Sequence, residues 1–138
     1  MKKLLVMISL LLPASGLAAN NVIDNELASC LNRNSSTVGM AQCYDAAMQS
    51  WDQEMNRQYS AVMKKLNNQQ KAKLRDAQRN WLKYRDSWLE AAQAWYLAEQ
   101  GTLAGLSTAA QAVQLVKGQA LMLKSLNQGS CANPDDCQ

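Results

Sequence analysis

The chain has 138 residues, with 14 Lys and Arg against 11 Asp and Glu, 4 Cys and no His. The absence of His excludes the usual Ser-His and Cys-His nucleophile pairs. A length of this order allows one domain.

Lys2 and Lys3 precede an apolar run from Leu4 to Leu12, which Pro13, Ser15 and Gly16 break before Ala18 and Ala19. A positive start, a short apolar core and small residues at the cut form a secretory signal peptide. Gly16 and Ala18 fill the two small-residue positions, so cleavage is expected after Ala18. The leader is then 1–18 and the mature domain 19–138. The apolar run is too short for a bilayer that needs roughly 20 residues, so no membrane span is expected. Losing Lys2 and Lys3 lowers the formal charge from +3 to +1. The mature protein is therefore nearly neutral, and export to the periplasm disfavours nucleic acid as a partner.

From Asn20 to Ser36 the chain is polar and reads as a loop holding Cys30. Ser36 or Thr37 caps a first helix whose apolar stripe is Met40, Cys43, Tyr44, Ala47, Trp51, Met55, Tyr59, Val62 and Leu66. Steps of mostly three and four are the helical period. After the break at Asn67-Asn68, a second stripe runs through Leu74, Ala77, Trp81, Tyr84, Trp88, Ala91, Trp95 and Ala98. Its alternating steps of three and four are those of a heptad seam. Gly101 is suited to end this helix. Gly101 and Gly105 mark a loop, and Ser107 is the expected cap of a third helix reaching about Asn127. Its buried side is Val113, Val116, Ala120, Leu123 and Leu126, widened by Leu115 and Leu121. Gly118 inside it costs about 1 kcal/mol relative to Ala and would allow a close helix approach.

The fold class is all-α: an antiparallel helical hairpin covered by a third helix, a three-helix up-down-up arrangement stapled by disulfides. All the aromatic residues fall in the first two helices, which places the core there, with Trp51 facing Tyr84. Four cysteines in an exported chain read as two disulfides, with three possible connectivities. Sequence neighbours favour Cys30–Cys43 and a tail loop, Cys131–Cys137. Zinc is the competing reading, and the spacings are not those of a zinc ribbon. No metal or cofactor is expected.

Asp52 and Glu54 lie two apart on a helix and do not face each other. Asp135 and Asp136 are tail charges, so no carboxylate pair suited to acid–base work is found and the protein is not read as an enzyme. Asp52 and Asn56 share one helix face, Gln78 and Arg85 another. An Asp52–Arg85 pair with Asn56 and Gln78 nearby would form a polar clamp that sets the hairpin register. Lys64, Lys65, Lys71, Lys73, Arg75, Arg79 and Lys83 gather toward the hairpin tip against Asp76 alone. They read either as a solvated end or as a basic prong for an acidic cleft, with Lys71, Lys73 and Arg75 as the partner-binding candidates.

The blocks running from Cys30 to Cys43, through Asp52, Asn56 and Tyr59, and through Leu74, Gln78, Arg79, Trp81, Tyr84, Arg85 and Asp86 resemble the LprI-like family of small exported bacterial proteins. The resemblance covers about Cys30 to Asp86. It departs from the family pattern after Asp86, where a Cys is common and this chain has Trp88 nearby, and in lacking a lipid-attachment Cys. It implies a helical exported protein that inhibits lysozyme, with a muramidase as its protein partner. The alternatives are an immunity protein against a wall-degrading toxin and a structural or chaperone-like envelope module. The oligomeric state is not legible.

Overall fold

A computed structural model describes residues 22–129. The expected leader, the cut after Ala18 and the Cys131–Cys137 loop lie outside the described residues. Within them the chain forms helices α1 (Val22–Arg33), α2 (Thr37–Lys65), α3 (Asn68–Gln100) and α4 (Ala104–Gln128), with a 3-10 turn at Gly101–Leu103.

The hairpin covered by a third long helix is present. Ser36 caps α2 by accepting from the Gly39 amide at 3.0 Å. Cys43, Ala47, Trp51, Met55 and Val62 from the first stripe are buried. At the turn Asn67 accepts from the Gln70 amide while Gln70 Oε1 accepts from the Asn67 amide, a reciprocal capping box. Gly101 ends α3 with φ at 57°, a conformation that Gly adopts without the steric cost a Cβ would bring.

Four expectations change. The segment around Cys30 is the helix α1 and not a loop. It turns Ile23 and Leu27 toward the core, and a Cys30–Cys43 disulfide, with Cα atoms 5.6 Å apart, ties it to α2. Lys117 of α4 also pairs with Asp24 at 2.6 Å. Ser107 does not cap α4, which begins at Ala104 directly from the 3-10 turn. Leu121 and Leu126 are exposed, and Gly118 faces open space with no neighbouring helix against it.

The fourth change is the largest. The core is built by α2 and α4, where Trp51 packs with Ala47, Met55, Val113, Val116, Ala120 and Leu123. Tyr84 does not cover Trp51, because α4 holds that place. On α3 only Gln78 is buried, and Leu74 and Trp81 are the seam residues that reach the core. Further along, Leu82, Arg85, Leu89, Ala92 and Tyr96 are the half-buried positions. The rest of the heptad seam faces solvent, with Tyr84, Trp88 and Trp95 52%, 46% and 66% exposed.

Candidate binding surface at the hairpin tip

The order of the helices decides what gathers at the tip. Alpha-4 runs parallel to α2, so its C-terminal end comes beside the α2–α3 turn. There Lys65 Nζ donates to the Asn127 carbonyl at 2.8 Å, and Asn127 Nδ2 donates to Gln58 Oε1 at 3.0 Å. Lys64 and Lys65 sit in the last turn of α2, where the partial negative charge of the helix end favours cations.

The start of α3 is different. Its first turn carries no acidic residue, and Lys71 and Lys73 follow immediately. Cations are not favoured near a helix N-terminus, so local helix energetics give no reason for them. The capping box holds the end instead. Lys73 and Arg75 are exposed and Lys71 is half-buried. All three lie within about 10 Å of the turn at 1.5 Å of rise per residue. Among the described residues the acidic neighbour on α3, Asp76, sits 3.9 Å from Arg79, with both side chains largely exposed. Such a pair is worth little.

Two corrections to the cluster follow. Lys83 lies about 20 Å up the helix from the turn and is not at the tip. Lys124 of α4, close enough to Glu54 to lower its pKa, belongs toward this end. Its signal was available only through the parallel placement of α4. Glu54 is held below its ordinary carboxylate value, first by the hydrogen bond from Arg57 and then by that from Gln58, against the opposing effect of burial. The Arg57 side chain closes on Glu54 with two contacts of 2.7 Å.

The polar clamp is not formed as expected. Arg85 pairs with its neighbour Asp86 at 2.7 Å and lies over the Trp81 ring, 5.6 Å from its centroid. Asp52 accepts from Asn56 Nδ2 at 3.1 Å. With α4 set between the far halves of α2 and α3, Asp52 and Arg85 do not meet. Gln78 turns instead to Met55 Sδ at 3.5 Å and accepts from Gln119 at 2.8 Å. The motif residues thus divide by role. Tyr59 and Trp81 pack against the core and Gln78 is buried. Asn56, Tyr84 and Asp86 are on the surface.

Among the described residues, no helix is long and apolar enough to cross a membrane. The family described as Lysozyme inhibitor LprI matches residues 30–123. A comparison with curated proteins found no match. A crystal structure of an uncharacterized protein from Burkholderia thailandensis is similar, with 30% identity and a TM-score of 0.67 over 78% of this chain and 54% of that one. This chain therefore spans about half the length of that structure.

Proposed function

The chain belongs to the LprI family of lysozyme inhibitors, and from that premise we propose that it is an exported periplasmic protein that blocks a lysozyme-type muramidase or another wall-lytic enzyme. It acts by binding and not by catalysis. Its leader is removed after Ala18, and the domain from Ala19 onward is the working protein.

The observation that carries this reading is the cationic start of α3, which among the described residues has no acidic residue of α3 beside it but Asp76. Lys71, Lys73 and Arg75 lie at the end of the hairpin, Lys73 and Arg75 exposed, and helix energetics do not call for them there. Wall-lytic glycosidases cleave with two carboxyl groups in a cleft. A narrow positive end complements such a cleft, and fixed charges of opposite sign steer and register a complex. A mature protein of nearly neutral net charge has no overall attraction to a partner, so the local field must do this work.

The test is wall lysis by several muramidases, measured with increasing amounts of the mature protein. Dose-dependent loss of lysis supports the reading. Undiminished lysis at saturating protein, for every enzyme tried, contradicts it.

A further inference from the structure

Tyr84, Trp88, Ala91, Trp95 and Ala98 of α3 keep heptad spacing and lie on the exposed side of the helix. Tyr84 and Trp88 are ring neighbours, 6.1 Å between centroids, and Trp88 Nε1 donates to Gln111 Oε1 at 3.3 Å across to α4. Alpha-4 engages the adjacent stripe through Ala92 and Tyr96 and leaves the seam open. Taking about 250 Å² for a fully exposed ring, the three rings leave roughly 400 Å² of aromatic surface bare. An apolar strip of that size is as large as the largest patch on a typical small domain, and such a patch often marks a binding surface.

We propose that this seam is the contact between two copies of the chain, packed antiparallel through α3 about a two-fold axis near Gln93. A strict seven-residue repeat turns one stripe toward a partner helix along its whole length, which a helix covered only by its own domain does not need. The side chains also choose the direction. A parallel pair would stack Trp88 on Trp88 and Trp95 on Trp95, with layers of bare Ala91 and Ala98 between them. The antiparallel pair sets each large ring against a small residue, Trp95 over the second copy's Ala91 and Trp88 over its Ala98. Alternating large and small residues across facing positions is how helix seams fill space.

Charge agrees with size. The cationic half of α3, from Lys71 to Lys83, lies at one end of the helix, whereas Glu90 and Glu99 lie at the other. The antiparallel arrangement sends the two cationic ends in opposite directions. It also brings Arg85 within about 3 Å of rise of the second copy's Glu99, which among the described residues of one chain has no ion-pair partner. Ser87, Ala94 and Gly101 line the other edge, where small side chains let the backbones approach. Two sets of rings bring together roughly 800 Å² before the flanking side chains are counted, close to the roughly 1,000 Å² of a specific interface. Both hairpin tips remain free.

The test is sedimentation of the mature protein over a concentration series, with the variant Ala91→Trp and two variants that each add one cysteine, treated with a short bis-maleimide. Ala91 is exposed, so A91W keeps the helical circular dichroism of the wild type while placing a ring where Trp95 of the second copy must go. Wild type is expected as a dimer and A91W as a monomer. Ala94→Cys, beside the axis, is expected to cross-link, and Ser87→Cys, seven residues away, is not. A wild-type monomer up to roughly 100 µM, where a complex with a Kd of about 10 µM would be mostly formed, overturns the proposal. So does a dimer that survives A91W, or equal cross-linking at both cysteines. A monomer whose Trp88 and Trp95 become protected when lysozyme is added gives the seam to the enzyme and likewise overturns it.

Discussion

Gln119 of α4 donates to Gln78 of α3 at 2.8 Å, and the Gln78 amide in turn reaches Met55 Sδ of α2 at 3.5 Å. One buried side chain thereby links the three long helices and fixes their register, a use of buried polar groups that apolar packing alone does not supply. Gln78→Ala removes the link and opens a void. It is expected to destabilise by about 2–4 kcal/mol in urea unfolding, combining a lost buried hydrogen bond with a cavity. Asp52→Ala serves as the contrast. Among the described residues its side chain bonds only Asn56 one turn away, so the loss should be under about 1 kcal/mol.

The aromatic residues should separate by helix. Trp51 is fully buried, and Trp51→Ala is expected to cost about 3–5 kcal/mol. Trp81 reaches the core but keeps part of its ring in solvent, so Trp81→Ala should cost less than Trp51→Ala. Unfolding midpoints at equal slope, compared at low protein concentration, give the order.

Alpha-1 has no buried residue of its own, and a helix of 12 residues is marginal alone. The disulfide closes a separation of 13 residues, which on the chain-entropy estimate stabilises by roughly 3 kcal/mol. Replacing Cys30 and Cys43 by Ser should release α1 while α2 to α4 stay folded. Hydrogen exchange should lose protection over 22–33 first, with the Lys117–Asp24 pair and the Ile23 and Leu27 contacts among the remaining ties.

Gly118 sits inside α4 where an added Cβ meets nothing within 4 Å. Gly118→Ala should therefore stabilise by about 0.5–1 kcal/mol through helix propensity alone. A shift of the melting midpoint upward checks this, and a downward shift would mean that the position is contacted.

Glu54 has a pKa lowered in the folded protein relative to its ordinary value of 4.5. Its stabilising contribution is therefore complete above that value and is lost as the pH falls through the lower folded value. Melting of wild type and Glu54→Gln should differ near neutral pH and converge in acid.

The first long helix was legible because its stripe meets both requirements at once: it has the helical period and it faces the core. The seam of α3 has the same period but the wrong destination. Periodicity identifies an apolar face without saying which neighbour covers it, and α4 took the position beside Trp51 that Tyr84 was expected to hold. The polar composition around Cys30 concealed α1, although Ile23, Leu27 and Leu31 already repeat every four residues. At the tip, Lys71, Lys73 and Arg75 could be placed from the turn at Asn67. Lys124 could not, since its position depends on α4 lying parallel to α2. The clamp failed for a related reason: an Asp52–Arg85 pair needs α2 and α3 to touch along their length.

Charge reversal tests directly whether the cationic start of α3 does the inhibitory work. Lys71, Lys73 and Arg75 are replaced together by Glu, and residual wall lysis is measured against inhibitor concentration at low and moderate salt. Reversal of solvated charges ordinarily changes stability by under about 0.5 kcal/mol per site, so the melting midpoint should move little. Wild type is expected to inhibit, its inhibition to weaken as salt screens charge over about 10 Å at 0.1 M, and the triple variant to lose most of its effect. Equal inhibition by wild type and the folded triple variant would contradict this role of α3.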